Sequence, residues 1–130
     1  MDQPIAKPGI LVVDDDALIR DYVAALLLSA GYDVSSAASS RDALDLIEAG
    51  LAPDLLFTDL WIGGGTNGLE LARRAQLVLP RLKVVFVSGY AGVPGSEALP
   101  AGAHFLQKPF RRAQCLDMLH SILTPSTDAG

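Results

Sequence analysis

Five short apolar runs, separated by segments of helical spacing, constrain this chain more than any other feature. The runs are Ile10 to Val13, Tyr32 to Ala37, Leu55 to Phe57, Val84 to Val87 and Ala103 to Leu106. Between the first two, Leu18, Ile19, Tyr22, Val23, Leu26 and Leu27 fall on one face of a 3.6-residue period. Ala43, Leu44 and Ile47 repeat the pattern. So do Leu69, Leu71, Ala72, Ala75 and Val78, and then Leu116, Leu119, Ile122 and Leu123. The punctuation agrees. Asp16, Ser39 or Ser40, and Asn67 with Glu70 stand where helices start, and Gly31 and Gly50 stand where helices end. Strands that alternate with helices pair in parallel through right-handed crossovers. The chain of 130 residues holds one such domain, residues 9–123, between tails at 1–8 and 124–130.

Strand composition predicts the order. Runs one, three and four are almost wholly apolar, as strands covered on both faces must be. Runs two and five carry Asp33, Ser35, Ser36 and His104, which suits edges. The order is then 2-1-3-4-5, an α/β flavodoxin-like (βα)5 fold. Its functional crevice lies beyond the carboxyl ends of the strands, at the switch point between strands 1 and 3. The fourth helix falls between Gly89 and Gly102, a segment with Pro94, Gly95 and Pro100, so it is expected to be short or irregular.

Composition removes several function classes. Half the residues are apolar and 19% are charged, which excludes a disordered chain. No apolar run approaches the ~18 residues of a membrane span, and no basic segment with an apolar run follows Met1, so a cytoplasmic location is expected. One cysteine, Cys115, excludes an internal disulfide and a multi-cysteine zinc site; it reads as a small buried hydrophobe. The net charge is −5, and the basic doublets Arg73-Arg74 and Arg111-Arg112 read as solvated helix surface. That charge argues against direct binding to nucleic acid.

The ends of the runs carry the chemistry. Run one ends in Asp14, Asp15 and Asp16, run three in Thr58 and Asp59, run four in Ser88 and Gly89, and run five in Lys108 and Pro109. A parallel sheet sets these groups side by side. Like charges at ~4 Å repel by several kcal/mol at a protein surface, and Lys108 supplies one compensating charge. A hard divalent cation held by carboxylate oxygens resolves this, and Mg²⁺ suits a site with few carboxylates and retained waters. Ser88 and Lys108 are placed to donate to a phosphate on the same ion. The set reads as a phosphoryl-transfer site with the Asp59 carboxylate as nucleophile. Taken singly, each motif also reads as an ordinary turn or cap.

Together, ILVVDD at residues 10–15, FTD at 57–59, VSGY at 87–90 and FLQKPF at 105–110 resemble the receiver domain of two-component response regulators. The resemblance spans about residues 9–123. It implies that Asp59 accepts a phosphoryl group from a histidine kinase or a histidine phosphotransfer protein. It implies Mg²⁺ on Asp14, Asp15, Asp59 and the main-chain carbonyl of Trp61, with Ser88 and Lys108 on the phosphate. Phe105 would turn inward behind Ser88 as the switch, and Lys108–Pro109 would be cis. The changed surface would be that of helix 4, strand 5 and helix 5, which is also open to homodimer formation. Such a protein is not an enzyme in the turnover sense, because it catalyses only its own phosphorylation and slow dephosphorylation.

Two other classes compete. Asp14-x-Asp16 mimics the nucleophile and acid/base pair of haloacid-dehalogenase-like phosphotransferases, although a cap domain is missing and Asp59 would then have no role. A phosphorylation-independent interaction module is the other, against which the intact Asp59, Ser88 and Lys108 argue. The loop after Asp59 carries Gly63, Gly64 and Gly65, with glycine where the family commonly has proline at 63, and resembles receivers of hybrid histidine kinases. Trp61 and Tyr90 lie two residues after Asp59 and Ser88 and are placed to screen an acyl phosphate from water. Slow self-dephosphorylation is therefore expected. Replacing both aromatics with small polar residues shortens the lifetime of the phosphorylated form, as followed by loss of label over time.

Overall fold

A computed structural model describes residues 7–60, 67–89 and 103–123. The irregular fourth helix expected between Gly89 and Gly102, and the residues Trp61, Gly63, Gly64, Gly65 and Tyr90, lie outside the described residues. The elements in chain order are β1 (Gly9–Val13), α1 (Ala17–Ser29), β2 (Asp33–Ala37), α2 (Ser40–Glu48), β3 (Leu55–Asp59), α3 (Gly68–Val78), β4 (Lys83–Ser88), β5 (Ala103–Gln107) and α4 (Arg112–Leu123). Here α4 is the fifth helix of the sequence-based expectation. The five strands form one parallel sheet in the order β2-β1-β3-β4-β5, the order read from strand composition.

The middle stretches of the central strands, residues 10–13, 55–57 and 84–87, are apolar because both of their faces are covered. On one face Ile10, Val12, Leu55, Phe57, Val85 and Val87 pack with Val23, Leu26 and Leu27 of α1 and Cys115 and Leu119 of α4. On the other, Leu11, Val13, Leu56, Val84 and Phe86 pack with Ala43 and Ile47 of α2 and Leu71, Ala72 and Ala75 of α3. Successive residues of one strand thus enter opposite layers, as the two-residue period of a strand requires.

The helix boundaries have local causes. Asp16 caps α1, its carboxylate accepting from Leu18 N–H at 2.9 Å and Ile19 N–H at 3.3 Å. Of the two candidate serines, Ser39 caps α2, accepting from Asp42 N–H at 3.0 Å. Asn67 caps α3 through Glu70 N–H at 2.8 Å. Glu70 pairs with Arg74 at 2.8 Å on the exposed surface. Gly31 (φ 99°) and Gly50 (φ 116°) follow the last residues of α1 and α2 in the left-handed region that glycine tolerates best.

The helix faces read from periodicity need correction. Leu18 and Tyr22 were expected on the packed face of α1, but they are 82% and 58% exposed. Val78 of α3, expected inside, is 50% exposed. The reason is geometric. A helix laid on a sheet buries one narrow arc, which on α1 is the Val23, Leu26 and Leu27 side. The sequence of α1 is apolar on most of its circumference, so periodicity cannot locate that arc. Val78 lies in the last turn of α3, at the edge of the covered area.

The corrected face has a measurable consequence. Leu27→Ala costs about 2–5 kcal/mol, as for a fully buried leucine, whereas Leu18→Ala stays within about 0.5 kcal/mol. Equilibrium unfolding in denaturant measures both.

Candidate functional site

Sheet register alone brings the chemical groups together. Val13 lies opposite Thr58, so the next residues, Asp14 and Asp59, leave the sheet side by side. Asp59 lies opposite Val87, which puts Ser88 one step further along β4. Ser88 lies opposite Gln107, which puts Lys108 one step beyond β5. Four strands therefore deliver Asp14, Asp59, Ser88 and Lys108 to one rim.

The distances are those of a single site. One carboxylate oxygen from each of Asp14, Asp15 and Asp59 lies within 4.8 Å of the other two. The Lys108 ammonium stands 3.3 Å from Asp59 Oδ2 and 3.7 Å from Asp14 Oδ2. Its main-chain N–H donates to the carbonyl of Ser88 at 2.8 Å, which ties the end of β5 to that of β4. The Lys108–Pro109 bond is cis, as the resemblance implied. Asp14 and Ser88 are buried, Asp59 is half-buried and Asp15 is exposed. Phe105 lies opposite Phe86 and is half-buried against the α2/α3 side of the core.

The acidic loop is fixed by its own backbone. Asp14 Oδ1 accepts from Asp16 N–H at 2.9 Å, and Asp14 N–H donates to the carbonyl of Ala37 at 3.2 Å. The guanidinium of Arg20, one turn into α1, donates to the Asp14 carbonyl at 2.8 Å. Sequence reading missed this contact. An arginine six residues after an aspartate is unremarkable until α1 folds back over the strand end.

Burial pushes the Asp14 carboxyl above its ordinary value. The Asp16 N–H and Lys108 offset this in part, while Asp59 and Asp15 push in the same direction as burial. Three carboxylates thus face one ammonium, with oxygen the donor atom throughout. That excess of negative charge and hard donors fits a hard divalent cation such as Mg²⁺. Directly behind the carboxylates, a cavity of about 10 Å³ lined by Asp14, Asp59, Lys108, Phe57 and Phe110 has room for a water molecule at most.

Comparison with known proteins follows the same lines. The sequence model of the response regulator receiver domain matches residues 10–120. The chain belongs to this family. CpdR of Brucella abortus, a response regulator receiver protein, is 34% identical over 118 residues, covering 88% of this chain and 95% of CpdR. NtrX of Azorhizobium caulinodans, a nitrogen assimilation regulatory protein, is 36% identical over 104 residues, covering 78% of this chain. The receiver spans 23% of NtrX and 12% of the sensor kinase CckA of Brucella abortus, so its relatives include both whole receiver proteins and segments of much longer ones. A CheY-like receiver from Methanospirillum hungatei superposes with a TM-score of 0.83 at 29% identity, covering 96% of this chain and all of that one. The receiver domain of the hybrid histidine kinase CckA gives 0.77 at 31% identity, covering 89% and 99%. Among the described residues of this receiver, no helix is long and apolar enough to cross a membrane.

The raised Asp14 value has a definite sign. An acid whose folded-state value exceeds its unfolded value of about 3.9 favours the folded state most at low pH. That contribution is lost as pH rises through the folded value. In chelator, Asp14→Asn therefore raises the denaturation midpoint at pH 7. The difference between the two proteins shrinks as pH falls below about 4, and denaturant titrations across pH check it.

Proposed function

We propose that Asp59 accepts a phosphoryl group from the phosphohistidine of a histidine kinase or a histidine phosphotransfer protein. One observation carries the reading: a strand-end carboxylate stands 3.3 Å from the Lys108 ammonium and within 4.8 Å of two further carboxylates. In the transfer, an Asp59 oxygen forms a bond to phosphorus as the P–N bond to imidazole breaks. The imidazole keeps the bonding pair and takes its proton from solvent. Lys108, already beside Asp59, holds its ammonium where negative charge accumulates. Ser88, at the end of the adjacent strand, supplies a hydroxyl to the same phosphoryl oxygens.

Asp14, Asp15 and Asp59 would hold Mg²⁺, which neutralises phosphoryl charge when bound. The resemblance adds the Trp61 carbonyl to this set. The similarity to a segment of the sensor kinase CckA supports a kinase as the class of donor. The cytoplasm, where such donors and Mg²⁺ meet, is the proposed location.

Phosphorylation adds roughly −1.5 to −2 charge and three acceptor oxygens. These draw on Ser88 and Lys108 and bias the packing of Phe105, whose neighbours lie on β4. The surface of β5 and α4 is the proposed readout. Hydrolysis of the acyl phosphate restores Asp59, so the cycle acts on the protein itself and turns over no separate substrate.

Phosphotransfer profiling against purified histidine kinases tests the proposal. One kinase labels the wild type in the presence of Mg²⁺, and chelator abolishes labelling. Asp59→Ala removes the label, and Lys108→Ala slows transfer by about tenfold or more. Label retained on Asp59→Ala but lost on Asp14→Asn would transfer the nucleophile to Asp14 and sink the assignment.

A further inference from the structure

Gly68 opens α3, a position where glycine is a poor choice for helix stability. Its φ lies outside the left-handed region, so backbone conformation does not demand glycine. Space does. A Cβ placed there would overlap the main-chain carbonyl oxygen of Asp59 and stand 3.3 Å from Asp59 C and Leu60 Cα. These are backbone atoms at the end of a buried strand, and they cannot swing aside as the tip of a side chain can.

Three hydrogen bonds hold this peptide and the carbonyl that follows it. Gly68 N–H donates to the Leu60 carbonyl at 2.7 Å. Leu60 N–H donates to the Val87 carbonyl at 2.8 Å. The hydroxyl of Thr58, fully buried, donates to the Asp59 carbonyl at 3.0 Å. The peptide between Asp59 and Leu60 is thus clamped between β4, the Thr58 hydroxyl and the first turn of α3.

We propose that Gly68 is a positioning residue for Asp59, acting with the Thr58 hydroxyl to fix the backbone from which the Asp59 carboxylate projects. The direction of the Asp59 side chain follows from its Cα geometry. A displacement of a few tenths of an ångström at the carbonyl therefore rotates the carboxylate against Lys108, Asp14 and Asp15. The proposal rests on Asp59 as phosphoacceptor for its consequence in phosphorylation. Its consequence for cation binding needs only that Asp59 belongs to the carboxylate cluster.

The test uses the full chain and two readouts. Mg²⁺ affinity is followed by the fluorescence of Trp61, the single tryptophan. The initial rate of labelling by phosphoramidate in Mg²⁺ is measured on the same proteins, well below their melting temperatures. Gly68→Ala weakens Mg²⁺ binding and slows labelling by about tenfold or more, and Thr58→Val, nearly isosteric, moves both in the same direction by a smaller factor. Leu119→Ala, a cavity in the opposite layer, lowers stability and leaves both readouts at wild-type values. If Gly68→Ala does not fold, Thr58→Val carries the test. Wild-type affinity and rate in the folded variants, or losses no larger than those of Leu119→Ala, would overturn the proposal. A wild type that binds Mg²⁺ but resists phosphoramidate would instead count against Asp59 as acceptor, and the Mg²⁺ titrations would still decide the role of Gly68.

Discussion

The contact between Lys108 and Asp59 is what makes the rest of the rim tenable. Three carboxylates gathered at one sheet edge repel one another, and burial of Asp14 adds to the cost. A single ammonium at 3.3 Å from one carboxylate and 3.7 Å from another offsets part of that repulsion. It does not remove it. The balance leaves a site with a standing excess of negative charge and an open demand for a cation. Stability is given up locally, and that excess of negative charge is what a bound cation would offset.

The sheet makes such a site rigid. Register relations across four strands fix where each group emerges, and a one-residue slip would turn every side chain to the wrong face. Both layers of helices then hold the rim from outside. On the α1 side, Arg20 reaches the Asp14 carbonyl. On the α3 side, Gly68 lies against the Asp59 carbonyl. Neither residue offers a group to the carboxylate cluster itself. Both act on main chain, which is how a fold places reactive side chains without crowding them.

Much of this architecture is legible in the residue order. Strand order followed from which runs were wholly apolar, because only doubly covered strands can exclude polar residues. The caps at Asp16, Ser39 and Asn67 followed from local hydrogen-bond chemistry. Failures came where more than one orientation satisfied the pattern. α1 is apolar on most sides, so Leu18 and Tyr22 could be assigned to the core and in fact face outward. Arg20 and Gly68 were missed because their partners are main-chain carbonyls, which leave no trace in side-chain spacing. A glycine in the first turn of an otherwise well-capped helix was the one available signal.

The sequence by itself determined the family, the sheet order and the identity of Asp14, Asp15, Asp59, Ser88 and Lys108 as a group. The family follows from the resemblance of four motifs, and the sheet order and the group at its rim from which runs are apolar and which residue ends each strand, all properties of the linear chain. The tertiary structure alone decided which arc of α1 is buried, how near Lys108 lies to each carboxylate, and that Gly68 must lack a side chain. Those are distances between segments far apart in sequence, and they are set by packing, which no local pattern encodes.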